Sequence, residues 1–303
     1  MSTLPSPLPP TELAELDGPQ LSALALVLLG SDLDEIVVAR VLDIEPASAR
    51  AAVDALRADG WVDERDALVL ADHTHLTTTL GENRLTTLAR RLLTHHVDGG
   101  TLTLPVARAV AATGTPSDEQ SRFLCAQAEH AEPAPAVALY AEAGRAGRLG
   151  DTAVVAYAEA CALNGDLDTA VGLADSVLER SGTVDDAELA AAVRISAAGA
   201  AFCGMIDRSA ELYAWLGADR AGADASLAAS VLVVAGRLDD AEAALATSAG
   251  APPTAATAGA ALVATGLVQS VTASANAALN SLTRALSLPG RDECGAGGGG
   301  GGG

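Results

Sequence analysis

Apolar residues recur at helical spacing through most of the chain, and glycine, proline and aspartate cut the runs at regular intervals. "PQLSALALVLLG" (19–30) opens on proline and stops at glycine, as helices do. "DLDEIVVARVLDI" follows, with Asp32 at the N-cap position. "EPASARAAVDALRADG" (45–60) puts Pro46 in a first turn, sets Ala49, Val53 and Leu56 on one face, and stops at Gly60. "WVDERDALVLA" (61–71) predicts two short strands around an acidic turn. Three helices and a hairpin are the order of a winged helix. "ENRLTTLARRLLTHH" (82–96) adds one more amphipathic helix.

From about residue 117 the strand signals stop and a period emerges. Aligned on their glycines, "NGDLDTA" (Gly165), "CGMIDRS" (Gly204), "AGRLDDA" (Gly236) and "TGLVQSV" (Gly266) are 39, 32 and 30 residues apart. In the first three an aliphatic residue and an aspartate follow at fixed distance: Leu167-Asp168, Ile206-Asp207 and Leu238-Asp239. An earlier hairpin, Ser117 to His130 then Pro133 to Ala143, turns at proline instead. Paired helices with a period in the thirties predict a tetratricopeptide-like solenoid. In each unit the glycine ends one helix in the left-handed conformation and the aspartate caps the next. A calcium loop starting at Asn164 would need a ligand series closed by a bidentate glutamate, and none follows.

The expected fold class is therefore mainly α, a winged-helix domain (1–97) followed by a tetratricopeptide-like helical-repeat domain (98–290). The proline-rich lead-in "TLPSPLPP" (3–10) reads as extended chain, and the glycine-rich tail (291–303) as flexible coil.

Composition narrows the function. Half the residues are hydrophobic but only 2% are aromatic, so the core is built from Ala, Leu and Val. The net charge is −21, which repels nucleic acid and anionic lipid. Residues 1–97 hold seven arginines against fifteen acidic residues, a net −8. The helix at 45–60 offers Arg50 and Arg57 beside Asp54 and Asp59, so DNA reading by this domain is not expected. "ALALVLLG" (23–30) is too short to span a bilayer. Cys125, Cys161, Cys203 and Cys294 lie far apart without CxxC pairing, which points to a reducing, cytoplasmic setting.

Specific chemistries fare poorly. The chain has no lysine, which removes a P-loop and lysine-based catalysis. His73, His75, His95 and His96 lack metal-ligand spacing and read as solvated or capping residues. Cys125, Cys161 and Cys203 read as small core residues. Asp185-Asp186 and Asp239-Asp240 sit at helix starts, where capping accounts for them. Neither an enzyme nor a cofactor or metal site is expected.

The order of parts carries a resemblance. Residues 16–64, with the apolar spacing of "LSALALVLLG" and "ARAAVDALRADGWV", resemble the winged-helix segment of large LuxR-type, MalT-like signal-transduction ATPases. "ADHTHLTTTLGENRLTTLARRLL" (71–93) occupies the next position of that family's pattern, and the repeats from 117 to 288 look like its helical-repeat sensor. The Walker motifs and the C-terminal helix-turn-helix of the family have no counterpart in the chain. The resemblance thus implies an effector-sensing piece of a bacterial transcriptional regulator, whose partners are a small-molecule effector, such as a sugar, and the ATPase and DNA-binding modules of a longer protein.

In solenoids the first helix of each hairpin tends to line the concave face. On such helices Arg122, Tyr157, Glu159 and Arg194 stand out among alanines, and Tyr213 with Trp215 offers a stacking face for a sugar. These six are the candidate ligand-binding residues. The plainer alternative makes the aromatics core plugs and the charges solvated surface. The competing function is a scaffold that holds a peptide or partner protein in the solenoid groove.

Overall fold

The computed structural model describes residues 13, 15–63, 67–69, 73–249 and 255–288. The lead-in 3–10, the tip of the predicted hairpin (64–66), Cys294 and the tail 291–303 lie outside the described residues. The protein is mainly helical and divides into two compact units, Met1–Leu149 and Gly150–Gly303. No described helix is long and apolar enough to cross a membrane.

Unit 1 carries α1 (Gly18–Leu28), α2 (Glu35–Leu42), α3 (Pro46–Ala58), α4 (His73–Leu80), α5 (Glu82–Gly99), α6 (Leu104–Ala112), α7 (Asp118–Ala128) and α8 (Pro133–Ala146). The start of α1 is a full capping box: Asp17 accepts from the Gln20 N–H at 2.8 Å, and the Gln20 side chain accepts from the Asp17 N–H at 2.9 Å. The cap of α2 is Asp34, which accepts from the Ile36 N–H at 2.7 Å, and not the expected Asp32. The chain between Gly30 and α2 stays extended two residues longer than the pattern suggests, because Leu33 is drawn into the core. Ala49, Val53 and Leu56 are all buried, as their spacing on α3 requires.

The predicted two-stranded hairpin reduces, among the described residues, to one antiparallel bridge, Val62 to Leu68. It is held by Asp63 N–H to Ala67 O and Val69 N–H to Trp61 O, both 2.9 Å. No described neighbouring strand extends it, and a lone pair of strands is marginal in water. Burial of Trp61 and Val62 anchors it instead. Val106 and Val110 of α6 join the same core as α1 to α5, so the expected domain boundary after residue 97 lies inside a compact unit.

Unit 2 continues with α9 (Asp151–Leu163), α10 (Leu167–Leu178), α11 (Asp186–Phe202), α12 (Ile206–Leu216), α13 (Ala218–Ala221), α14 (Ala225–Val234), α15 (Leu238–Ala249), α16 (Ala255–Thr272) and α17 (Ala275–Leu286). The pairs α9–α10, α11–α12, α14–α15 and α16–α17 are helical hairpins, and each packs on the next. A short insertion, α13 with a 3-10 turn at Gly222–Asp224, separates the second and third. This is a solenoid-like stack.

Gly165, Gly204 and Gly236 all take positive φ, 77° to 86°, and turn their hairpins as predicted. Gly266 does not. It lies inside α16, where a Cβ would meet Leu282 Cγ of α17 at 2.7 Å, so this glycine serves close helix packing rather than a turn. The recurring aspartates are also repositioned. Asp168, Asp207 and Asp239 occupy first turns, favouring the positive end of the helix, whereas the cap of α10 is Asp166, accepting from the Thr169 N–H at 3.1 Å. Cys161 is wholly buried as expected, but Cys203 follows the end of α11 and is exposed.

Candidate functional site

The first helices of the unit 2 hairpins converge on Arg194. Its guanidinium donates Nη1 to both carboxylate oxygens of Asp224, at 2.9 and 2.7 Å, and Nη2 to Glu159. Glu159 comes from α9, Arg194 from the middle of α11, and Asp224 from the residue before α14. Local structure frees each of them for this role. Asp224 makes no capping hydrogen bond to α14 although it stands at its N-cap, so its carboxylate is available to the arginine. Arg194 is flanked by Val193 and Ile195, both buried, which fix the face of α11 from which it projects.

The two ion pairs are unequal. The Asp224 side chain is only 11% exposed, and that of Glu159 is 42% exposed. Solvent screens the Glu159 contact toward the worth of a surface pair, about 0–1 kcal/mol, so Asp224 is the firmer partner. Burial works against the charge of Arg194, and the two carboxylates more than offset it, holding its pKa above the ordinary arginine value. The triad carries a net charge of −1.

It opens into a cleft of about 660 Å³, a size suited to a small ligand. Leu163, Leu167, Ile195 and Leu227 form aliphatic walls, and alanines of α9, α11 and α16 leave the floor free of bulky side chains. The cleft thus offers carboxylate oxygens as acceptors, an arginine already shared by two acids, and apolar sides.

The other predicted residues fall elsewhere. Arg122 belongs to unit 1, on α7, where it is exposed and pairs with Glu119 one turn away at 3.3 Å. Tyr157 is half-buried on α9 and is not among the residues lining the cleft. Tyr213 and Trp215 stand two residues apart on α12 and so point to different faces. Tyr213 is buried in the core of unit 2, where burial and the charge of Asp224 push its pKa strongly upward. Trp215 is half-exposed with the Arg220 guanidinium 5.4 Å from its ring centroid. Among the described residues that line the cleft none is aromatic.

Sequence reasoning missed Asp224. Its signal is weak: an aspartate in "GADAS" between two alanines, thirty residues from the arginine it serves. Of the histidines, His96 is tied to the backbone of unit 1. His96 Nδ1 lies 3.1 Å from the Thr101 carbonyl oxygen and 3.0 Å from its hydroxyl. Among the described residues no group of three His, Cys, Asp or Glu side chains is placed to hold a metal ion. No family model, curated protein or solved structure matches this chain.

Proposed function

We propose that unit 2 is an effector-sensing module of a bacterial regulator, and that its cleft takes a small polar molecule against the Glu159–Arg194–Asp224 triad. One observation carries the reading. A half-buried arginine, fixed by carboxylates from two other elements, sits at the mouth of a ligand-sized cleft built from the first helices of consecutive hairpins. A ligand bound there would bridge several repeats, so occupancy would bear on how the hairpins pack.

The charge of the triad selects the ligand. Arg194 is already committed to two carboxylates, so an anion gains little from it and is repelled by Glu159 and Asp224. Neutral polyols and amines, with donors for the carboxylates and a carbon face for Leu163, Leu167 and Leu227, suit the site. An uncharged sugar meets this description and a sugar phosphate does not. The resemblance of residues 117–288 to the helical-repeat sensor of MalT-like regulators supports the same role.

The test is a thermal-shift screen of matched sets: uncharged sugars and polyols, their amino derivatives, and their phosphates. A neutral or amino compound is expected to raise the melting temperature in the wild type and not in Arg194→Met. A shift confined to the phosphates contradicts the charge argument. If no small molecule shifts the transition but a peptide does, the groove is a scaffold instead.

A further inference from the structure

The three glycine-turned hairpins share one exposed feature at one position. Two residues before each glycine stands a large apolar side chain in solvent: Leu163 at 76% exposure, Phe202 at 83% and Val234 at 63%. The buried pattern around them repeats as well, since the residue five beyond each glycine (Ala170, Ser209, Ala241) is buried. Scattered exposed apolar residues are ordinary, but one per repeat at equivalent positions forms a row along the turn edge of the stack. Met205, three residues after Phe202 and 52% exposed, adds to it.

A second row runs with the first. Three residues beyond each glycine stands an exposed aspartate: Asp168, Asp207 and Asp239. Asp166 adds to it at the N-cap of α10, and the nearby arginines are engaged locally, Arg208 with Glu211 and Arg237 with Asp240. The edge therefore pairs apolar side chains with unneutralised carboxylates, repeat by repeat. Leu163 is shared with the wall of the cleft at Arg194, whereas Phe202 and Val234 do not line it, so the row runs beyond the cleft.

We infer that the turn edge of unit 2 docks a basic amphipathic helix from another protein, with its apolar residues on the Leu163–Phe202–Val234 row and its arginines or lysines on the aspartates. Charge complementarity selects this occupant. A second copy of this chain would bring the same carboxylates face to face in a molecule of net charge −21. Spacing fits between Leu163 and Phe202, whose helices α9 and α11 pack together: packed helices lie about 8–10 Å apart, and residues i and i+7 of a helix are about 10.5 Å apart along its axis.

The experiment uses the full chain and a labelled helical peptide of about 16 residues, with leucines at i and i+7 flanked by arginines, read by fluorescence anisotropy. Its controls are the same peptide with glutamates for arginines and a protein carrying Phe202→Ser and Val234→Ser, both outside the cleft. Both sites are exposed, so unchanged circular dichroism is expected. The arginine peptide should bind, lose affinity as salt rises, and bind at least about tenfold more weakly to the double variant. The glutamate peptide should not bind. Arg194→Met should leave peptide affinity unchanged, which separates this surface from the cleft. Failure of the arginine peptide, equal binding to the double variant, or equal binding of the glutamate peptide overturns the inference. So does concentration-dependent self-association abolished by Phe202→Ser, which would make a second copy the occupant.

Discussion

The two units bury different materials. Unit 1 closes around large side chains, with Leu24, Leu26, Leu29, Leu33, Leu56 and Leu92 wholly or almost wholly buried around Trp61. The core of unit 2 is largely alanine: Ala190, Ala197, Ala210, Ala225, Ala228 and Ala229 line its helix contacts. Small residues let helix axes come close, so packing is governed by glycine and alanine contacts and not by interdigitated leucines. They also leave room. The cleft floor is alanine, and charged side chains line it between aliphatic walls. A leucine core fills its space, and an alanine stack leaves a cleft.

The largest effect should come from cutting the leucine core. Leu24→Ala removes a fully buried side chain of α1 and should cost about 2–5 kcal/mol. Urea unfolding monitored by Trp61 in a Trp215→Phe background reads unit 1 alone. Ala229→Gly in unit 2, equally buried, should cost only about 1 kcal/mol, the helix-propensity term. Equal losses would dissolve the contrast between the two cores.

Next in size is the triad. Arg194→Ala leaves the Asp224 carboxylate, mostly buried, without its partner. A fully buried broken pair costs about 3–5 kcal/mol, and the partial exposure of Arg194 reduces the expectation to about 1–3 kcal/mol. Removing the acid as well, as Arg194→Leu with Asp224→Leu, should restore most of the loss. A double variant as unstable as the single one would show that Arg194 acts through packing and not through its charge.

A glycine pair tests the close packing of unit 2. Alanine is the better helix former by about 1 kcal/mol, which favours substitution at both Gly199 and Gly172. At Gly199 the new Cβ would meet Val171 Cγ2 at 2.5 Å, and overpacking at about 1–3 kcal/mol should win. At Gly172, with nothing within 4 Å, the propensity gain of about 0.5–1 kcal/mol should stand. The melting temperatures of the two variants should therefore move in opposite directions.

What the sequence makes legible follows the same physics. Gly165, Gly204 and Gly236 could be read as turns because a left-handed residue in a helical repeat almost demands glycine. Gly266 looks identical in sequence, but it answers to Leu282 on the next helix, a contact that spacing cannot reveal. Arg194 and Glu159 stood out as charges among alanines, whereas Asp224 resembles any aspartate at a helix start until its partner is placed beside it. Tyr213 and Trp215 were paired by adjacency, and the helix sends them to opposite environments. The exposed row at Leu163, Phe202 and Val234 is written at a constant offset from the glycines. Only exposure distinguishes it from core.

The smallest effect concerns pH and unit 1. Burial, then the charge of His95, holds the pKa of His96 below the ordinary histidine value, against the opposing pull of the Thr101 carbonyl. Its Nε2 is buried without a partner, so protonation would strand an N–H there. The unfolded chain therefore takes up the proton first. Stability should be whole above the ordinary histidine pKa of about 6.5 and decline as pH falls through it toward the lower folded value. In His96→Gln the unfolding midpoint read by Trp61 should lose that part of its pH slope.

Ligand binding at the alanine-floored cleft is tested most directly by hydrogen exchange with the strongest stabiliser from the neutral and amino screening sets. Saturation should raise the melting temperature by roughly 5–10 °C, as about 2.7 kcal/mol at a hundredfold excess over Kd implies. Amide exchange should slow in the segments that line the cleft, around residues 159–167, 194–198 and 223–227, and stay unchanged across α1 to α5. Both effects should vanish in Arg194→Met. Protection confined to unit 1, or protection of the cleft helices that persists in Arg194→Met, would contradict the assignment of the site.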